Sequence, residues 1–325
     1  MKGACFVSAA CIALAALVFV LFVFLLAGTL DTVSAKTQWI NVTAITKLNV
    51  SDYLPRVVGV IFDDSTSSPA DEIDLVSAST RSVFCNGTVI DLNGKDDIVA
   101  VNATIYWMGN KSSQHDDKNE HYSNHSCAVL RSGPMNKTFS CGFKMWYFAN
   151  NGTWFCNMSA WDNATTNPGK KAGYNSSLDN AKVNPVFALN VPAVLNYGEL
   201  SINQTSPADV MVNVTNTGNM NIDLKLNGYG GTNLVENNLS MKCALGNITI
   251  ANERFSQTAA QAFSLMTALS GQHANPYYWN AFSLSQRKSE LLNSSKGTYW
   301  KIRVPMGGVK GQCNGTVVFT SAPDI

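Results

Sequence analysis

Residues 91–97, with the sequence DLNGKDD, place several carboxylate and amide oxygens around one short turn. Calcium binds through several oxygen ligands, and extracellular calcium sites can be weak and still be occupied. Asp91, Asn93, Asp96 and Asp97 are therefore candidate calcium ligands. Their spacing is not that of an EF-hand, however, and Asn-Gly between two strands is a strong hairpin signal. A plain turn without a cation is the favoured interpretation.

Three of the four histidines lie close together, at His115, His121 and His125. His121 and His125 are four residues apart, as in a zincin, but Tyr122 stands where a zincin has Glu and no third ligand is evident. The surrounding segment is hydrophilic and overlaps a glycosylation sequon at Asn124. A solvated loop is therefore favoured over a transition-metal site.

No catalytic motif stands out in the chain. A nucleophile needs a neighbouring base, and a glycosidase needs two facing carboxylates. The sequence contains no G-x-S-x-G motif, no glycine-rich phosphate loop and no other nucleophile motif. Because carboxylate pairs have no fixed spacing, a carbohydrate-binding or hydrolytic exoprotein remains the alternative to a protein without catalytic activity.

The seven tryptophans could stack on the faces of sugars, but five of them fall within predicted strands, which favours packing in a core. Residues 276–279, with the sequence PYYW, lie instead in a predicted loop. Tyr277, Tyr278 and Trp279 are therefore the candidate contact surface of the protein.

The composition is low in charge and rich in small polar residues. Charged residues make up 14% of the chain, against about 25% in an ordinary soluble domain, and the 23 basic and 22 acidic side chains almost cancel. Asn, Ser and Thr supply 34, 30 and 23 residues. The charge balance argues against a nucleic-acid partner, because no long-range positive field attracts phosphate. A hydrophobic content of 46% argues against a disordered chain.

Sequons for asparagine glycosylation occur 17 times, which is about three times the number that the composition predicts by chance. All of them follow residue 35, and glycans would replace charge as the source of solubility. The candidate glycosylation sites are Asn41, Asn49, Asn86, Asn102, Asn110, Asn124, Asn136, Asn151, Asn157, Asn163, Asn175, Asn203, Asn213, Asn238, Asn247, Asn293 and Asn314.

The N-terminal region contains a long apolar segment, Ala4–Ala27, preceded by a single charge at Lys2. The segment is long enough to span a bilayer, and the position of the charge predicts a body outside the cell. We therefore expect a membrane anchor and a cell-surface location. Cleavage after Ala35, in the sequence VSA, would instead release a secreted protein. A third interpretation is processing at Lys2-Gly3-Ala4, as in archaeal type IV pilin-like precursors, which would make the chain a pilin-like filament subunit.

Six cysteines lie outside the apolar segment, which itself contains Cys5 and Cys11. An oxidising exterior makes disulfide pairing the default for six cysteines but leaves the choice among many pairings open. Zinc would favour a C-x-x-C spacing, and none is present. The candidate disulfide cysteines are Cys85, Cys127, Cys141, Cys156, Cys243 and Cys313.

Short runs of alternating apolar and polar residues, separated by turn residues, predict an all-β sandwich architecture. Asn163–Asn184, rich in Pro, Gly, Asn and Lys, is a predicted linker or long loop. Apolar residues at helical spacing predict one helix at Asn252–Leu269. The predicted strands are Arg56–Phe62, Ile73–Ala78, Arg81–Asp91, Ile98–Met108, Thr138–Phe148, Thr153–Asp162, Val186–Val191, Asp209–Val214, Ile222–Leu226, Leu239–Cys243, Asn247–Ala251, Tyr299–Val304 and Cys313–Thr320.

An immunoglobulin-like pattern surrounds two of the cysteines. Cys85 lies on one predicted strand, Trp107 near the end of the next, and Cys156 on a strand that also carries Trp154. In an immunoglobulin sandwich a disulfide joins the two sheets and packs on a buried Trp, with an aromatic residue two positions before the second cysteine. The pattern favours a Cys85–Cys156 bond, and a Cys127–Cys141 bond would then close the intervening hairpin.

Several longer strings resemble an Ig-like domain of membrane-anchored archaeal cell-surface proteins. They are FCNGTVIDLNGKDDIV, HYSNHSCAVL, FSCGFKMWYFANNGTWFCNMSAWD, VNVTNTGNMNIDL and TYWKIRVPMGGVKGQCNGTVVFTSA. The resemblance covers residues 55–325 and implies two β-sandwich domains on a cell surface, with no established activity. It leaves Cys243 and Cys313 to pair in the last domain, and Asn216–Asn219 looks like the tight turn between paired strands in this class.

Together these observations predict two Ig-like β-sandwich domains in tandem after an N-terminal transmembrane or signal segment. The expected divisions are 1–35 for that segment, 36–54 for a stalk, 55–184 for a sandwich with two disulfides and 185–325 for a sandwich with one. We expect a non-catalytic cell-surface glycoprotein that serves adhesion or envelope coverage, with no cofactor apart from the calcium considered above. Its expected partners are the membrane and other surface proteins or glycans.

Overall fold

The computed structural model describes residues 42–64, 71–162, 179–232, 238–271 and 276–324. The chain divides into two compact units, residues 1–50 and 51–325. Residues 42–50 are exposed and form no regular secondary structure. The predicted membrane segment and cleavage site lie outside the described residues. Within the described part of the chain, no helix is both long enough and apolar enough to cross a bilayer.

The described part of residues 51–325 is built from mainly antiparallel sheets, with three single-turn 3₁₀ helices, so the prediction of an all-β protein is confirmed. In chain order the strands are β1 (Arg56–Asp64), β2 (Glu72–Ile73), β3 (Thr80–Ile90), β4 (Ile98–Trp107), β5 (His121–Asn124), β6 (Ala128–Ser132), β7 (Asn136–Trp146), β8 (Gly152–Asp162), β9 (Asp179–Val183), β10 (Leu189–Asn190), β11 (Val210–Asn216), β12 (Ile222–Gly230), β13 (Leu239–Leu245), β14 (Asn247–Thr249), β15 (Glu253–Ser256), β16 (Thr267–Ala268), β17 (Tyr277–Leu284), β18 (Ser295–Ile302) and β19 (Lys310–Pro323).

Strands β1 to β9 form two sheets, which we call the first sheet pair. Their strand orders are β1-β3-β7-β6 and β2-β9-β8-β4-β5. Alternate residues of β3, β4, β7 and β8 are buried, because successive side chains of a strand point to opposite faces. The buried side chains of both sheets form one continuous core.

Strands β10 to β19 form the second sheet pair, with the orders β10-β11-β18-β15-β16 and β14-β13-β19-β12-β17. Aromatic rings dominate its core. The ring centroid of Phe255 lies 4.9 Å from that of Trp279 and 5.2 Å from that of Trp300. Tilted aromatic pairs at this separation contribute stability beyond the area that they bury.

Three disulfide bonds are formed, and their pairing is the predicted one. The bond between Cys85 on β3 and Cys156 on β8 crosses from one sheet to the other inside the first core, with a Cα separation of 6.2 Å and both cysteines fully buried. The other two reinforce paired strands, with Cα separations of 4.4 and 3.8 Å. They are Cys127–Cys141 and Cys243–Cys313.

Trp154 is the fully buried indole of the first core. Its Nε1 donates a hydrogen bond to the backbone oxygen of Asn150 at 2.7 Å. Trp107, which the immunoglobulin pattern places between the cysteines, packs against this core but stays partly exposed at the last position of β4. In the register of β4 against β8, Trp107 lies directly opposite Trp154.

The predicted helix at Asn252–Leu269 is wrong. This segment forms the short strands β15 and β16 and a 3₁₀ turn at Phe263–Leu265. Phe255 is fully buried among the core aromatics, whereas Ala259, which the helical spacing places on the same face, is exposed. Pairing of β15 with β18 and the contacts of Phe255 override the local helical periodicity.

Two segments predicted as turns between paired strands instead connect opposite sheets. Residues 91–97 lead from β3 to β4, and residues 216–219 lead from β11 to β12. At Gly218 a Cβ atom would lie 2.0 Å from the backbone oxygen of Val186, so this close approach of two backbones requires glycine.

The end of the predicted linker, residues 179–183, is strand β9, while residues 163–178 lie outside the described part of the chain. After β9, the backbone near Val186 contacts the second sheet pair, and a loop of the first sheet pair contacts the second as well. The Val186 amide donates to Asn219 Oδ1 at 2.6 Å, and the Ala78 amide donates to the Thr217 carbonyl at 3.1 Å. These contacts join the two sheet pairs within the compact unit of residues 51–325.

Candidate functional site

The four candidate calcium ligands differ in their burial and in their hydrogen-bond partners. Asp91 is fully buried, and its Oδ1 accepts a hydrogen bond from the Asn93 amide at 2.8 Å. The Asn93 side-chain oxygen accepts from the Tyr53 amide instead, and Asp96 is exposed. Burial, together with the negative charge of Asp97, raises the pKa of Asp91. Among the described residues no group of three or more His, Cys, Asp or Glu side chains is placed to hold a metal ion, so the calcium hypothesis gains no support.

The clustered histidines also point in different directions. His121 is fully buried on β5, with its Nδ1 3.0 Å from Asp116 Oδ1 and its Nε2 3.2 Å from the Ser112 backbone oxygen. His115 and His125 are exposed. Partial burial acts against ionisation of Asp116, but hydrogen bonds from Ser123 and His121 lower its pKa. Both nitrogens of His121 therefore fasten the 108–120 loop.

The candidate contact surface at Tyr277, Tyr278 and Trp279 lies on strand β17, so its predicted placement in a loop is wrong. Trp279 is only 9% exposed because it belongs to the second core. The Tyr278 hydroxyl donates to the Pro323 carbonyl at 2.8 Å, and Tyr277 is 37% exposed. These three side chains do not form a common aromatic surface.

The structure instead presents a pocket on the outer face of strands β4 and β8. Ala103 on β4 and Ala160 on β8 point into the core. Because successive side chains of a strand point to opposite faces, the residues next to these two alanines along each strand face outward. Register places Asn102 opposite Ser159 and Thr104 opposite Asn157. These strand residues, with the loop residues around them, enclose about 450 Å³. The lining residues are Asn102, Ala103, Thr104, Ser112, Ser113, His125, Asn157, Ser159, Ala160 and Trp161.

The pocket combines one indole with many neutral hydrogen-bonding groups. Trp161 lies outside the first core and is partly exposed. Oγ1 of Thr104 is buried and has no hydrogen-bond partner among the described residues. The side-chain amide of Asn102 is oriented so that each of its polar atoms has a hydrogen-bond partner. Its oxygen accepts a hydrogen bond from His125 Nδ1 at 3.2 Å, and its nitrogen donates to the backbone oxygens of Val101 and His125. Among the residues that the structure describes, no Asp, Glu, Lys or Arg lines the pocket.

The position of Trp161 in a predicted strand predicts packing in a core, but the structure places it outside the first core. A signal that places it on the other face is present, however, in the alternation of the same strand. Trp154, Cys156 and Met158 are buried inward-facing residues of β8, and Trp161 differs from them by an odd number of positions. Side chains an odd number of residues apart in a strand lie on opposite faces.

Most of the predicted glycosylation sites are accessible in the structure. Of the fourteen described sequon asparagines, nine are exposed, four are half-buried and Asn157 is only 6% exposed. Asn41, Asn163 and Asn175 lie outside the described residues. The exposed ones are Asn49, Asn136, Asn151, Asn203, Asn213, Asn238, Asn247, Asn293 and Asn314, and the half-buried ones are Asn86, Asn102, Asn110 and Asn124.

No protein-family model matches the chain, and no curated protein matches it. The disulfides, the sequons and the pocket are therefore the features that bear on function.

Proposed function

We propose that the protein is a non-catalytic extracellular glycoprotein that acts by binding or by covering a cell surface. The observation that carries this proposal is the set of three formed disulfides, which use all six described cysteines. Disulfides form and persist in oxidising compartments outside the cytosol. The nine exposed sequon asparagines are consistent with the same exterior, where they can carry glycans.

Within this proposal each sheet pair is an Ig-like sandwich of the kind found in membrane-anchored archaeal surface proteins. The inter-sheet Cys85–Cys156 bond and the buried Trp154 two residues before Cys156 support this assignment in the first pair. In the second pair the Cys243–Cys313 bond joins neighbouring strands, so support there comes from the two facing sheets and their shared core.

The lining of the pocket supports binding over hydrolysis. A glycosidase requires two carboxyl groups that flank the scissile bond. The described residues line the pocket with hydroxyl, amide, imidazole and indole groups and with no carboxylate. A surface protein that holds a ligand without cleaving it fits this chemistry.

We further propose that Ala4–Ala27 anchors the protein in the membrane with residues 51–325 outside. The apolar length of that segment and the single preceding charge at Lys2 support this orientation. Labelling of intact cells with a membrane-impermeant biotin reagent tests it. We expect the labelled protein in the membrane fraction, with an N-terminus upstream of Lys36 and no free thiol among the six body cysteines.

Two results would contradict these proposals separately. A native protein that starts at Lys36 and is found in the medium would contradict the anchor but keep the extracellular location. An unlabelled protein with reduced cysteines inside the cell would overturn the proposed function itself.

A further inference from the structure

We propose that the pocket beside Trp161 binds a neutral sugar ring, with the indole as the stacking surface and the Thr104 hydroxyl as a hydrogen-bonding partner. This inference rests on the proposed function, since it names the ligand of a binding protein on the cell surface. The ligand is a mono- or disaccharide unit of a glycan carried by another molecule.

The size of the pocket suits such a unit. Small-molecule sites enclose roughly 300 to 1,000 Å³, and this pocket, at about 450 Å³, lies in the lower part of that range. Strands β4 and β8 form its floor, so the lining side chains stand on a paired and disulfide-bonded sheet. A site on such a scaffold is held in place before the ligand arrives.

The Thr104 hydroxyl supplies the most specific argument. Its oxygen is buried, and the described residues offer it no hydrogen-bond partner. A buried hydroxyl without a partner is unfavourable, because it has lost its bonds to water and gained none in return. Rotation of the Thr104 side chain would bring this oxygen to the pocket surface, where a ligand hydroxyl would restore the missing bond, with Ser159 and Asn157 next to it on β8.

The charge of the lining excludes other ligand classes. A phosphate or carboxylate ligand requires Arg, Lys or a cluster of amide donors, and a divalent cation requires several carboxylates. The described part of the lining contains no carboxylate and no Lys or Arg, and the imidazole of His125 is its one titratable group. A sugar ring presents hydroxyls at its edge and C–H groups on its faces, which match the hydroxyls and the indole respectively.

The sugar is not the glycan of a sequon in the pocket lining. Asn157 is only 6% exposed, and both N–H groups of Asn102 donate to backbone oxygens in its preferred orientation. A glycan on either nitrogen would displace contacts that form the pocket wall. An external glycan can enter without this rearrangement.

Titration of the full-length protein in detergent tests the proposal. The probes are glucose, galactose, mannose and N-acetylglucosamine with their β-linked disaccharides, and binding is followed by saturation-transfer NMR. The protein is prepared once from a host that attaches no N-glycans and once with its native glycans. We expect at least one probe to bind both preparations.

Matched variants identify the site. We expect Trp161→Ala to weaken binding about tenfold or more and Thr104→Val to do the same, because each removes one recognition element. Thr104→Ser keeps the hydroxyl and should bind within about twofold of the unmodified protein. Tyr277→Ala removes a partly exposed aromatic of the second sheet pair and should have no effect. Because Trp161 lies outside the core, its replacement should leave the fold intact. Retention of the Cys85–Cys156 bond in each variant confirms the fold.

Failure of every probe to bind, or unchanged binding by Trp161→Ala, would overturn the sugar site. Binding that appears only after native glycans are removed would assign the pocket to a glycan of the chain itself and overturn the external ligand. These outcomes are independent of the proposed function, which the surface-labelling experiment tests without any sugar.

Discussion

Arg287 of the second sheet pair donates from its Nη1 to the Tyr147 hydroxyl of the first at 2.9 Å. Its guanidinium also lies over the rings of Trp146, Tyr147 and Phe148, at 5.9, 5.8 and 4.9 Å from their centroids. Arg287 is only 9% exposed, and its backbone oxygen accepts a hydrogen bond from Asn119 at 3.0 Å. This buried cation therefore fastens the two sheet pairs to each other.

Replacing Arg287 by Ala should lower the free energy of unfolding by roughly 2 kcal/mol, because a charged hydrogen bond and the ring contacts are lost together. Urea denaturation measures the change, and a double-mutant cycle with Tyr147→Phe should show coupling between the two residues. Arg303→Ala is the control, since Arg303 is exposed in the same sheet pair. Equal effects of Arg287→Ala and Arg303→Ala would show that the contact does not join the sheet pairs.

Two disulfides of the first sheet pair should differ in what they contribute to stability. Cys85–Cys156 closes a sequence separation of 71 residues and Cys127–Cys141 one of 14. In the chain-entropy model the longer loop is worth about 4 kcal/mol and the shorter about 3 kcal/mol. We expect the Cys85→Ala/Cys156→Ala variant to unfold at a lower urea concentration than the Cys127→Ala/Cys141→Ala variant. The reverse order would contradict the account of the inter-sheet bond.

Glu253 should make stability depend on pH. It is 2% exposed, and its carboxylate accepts hydrogen bonds from Tyr197 Oη at 2.7 Å and Ser240 Oγ at 2.5 Å. Burial raises the pKa of Glu253, and these hydrogen bonds oppose the shift only in part. Because the folded state then holds the proton more tightly than the unfolded state, the stabilisation by the protonated carboxyl is lost as pH rises through the folded-state pKa.

The Glu253→Gln variant should therefore lose this pH dependence and be more stable than the unmodified protein at neutral pH. Urea midpoints between about pH 4 and pH 8 measure both effects. Glu199→Gln, at an exposed position, provides the control. If Glu253→Gln keeps the pH profile of the unmodified protein, burial of this carboxylate has no effect on stability.

Alternation along single strands predicted much of the first sheet pair, because the apolar residues of β3, β7 and β8 recur at every second position. The spacing around Cys85 and Cys156 likewise indicated the inter-sheet bond. The helical periodicity near Phe255 misled because its contacts with Trp279 and Trp300 join residues distant in sequence.

The sequence did not predict the pocket, because residues distant in sequence form it. Its residues come from β4, β8 and the loops near His125 and Ser112, and only the register of β4 against β8 brings them together. Whether residues 91–97 and 216–219 join two strands of one sheet or strands of two sheets also depends on which strands pair. In the structure both segments cross between sheets. Local sequence determines strand faces, but it does not determine long-range pairing.

Glycopeptide mass spectrometry of the protein purified from its native cells tests the central claim most directly. The account predicts glycans on several of the nine exposed sequon asparagines, including Asn136, Asn151 and Asn213, and none on Asn157, whose side chain is only 6% exposed within β8. Unmodified peptides at all nine exposed sites would contradict the claim that this protein is an extracellular glycoprotein.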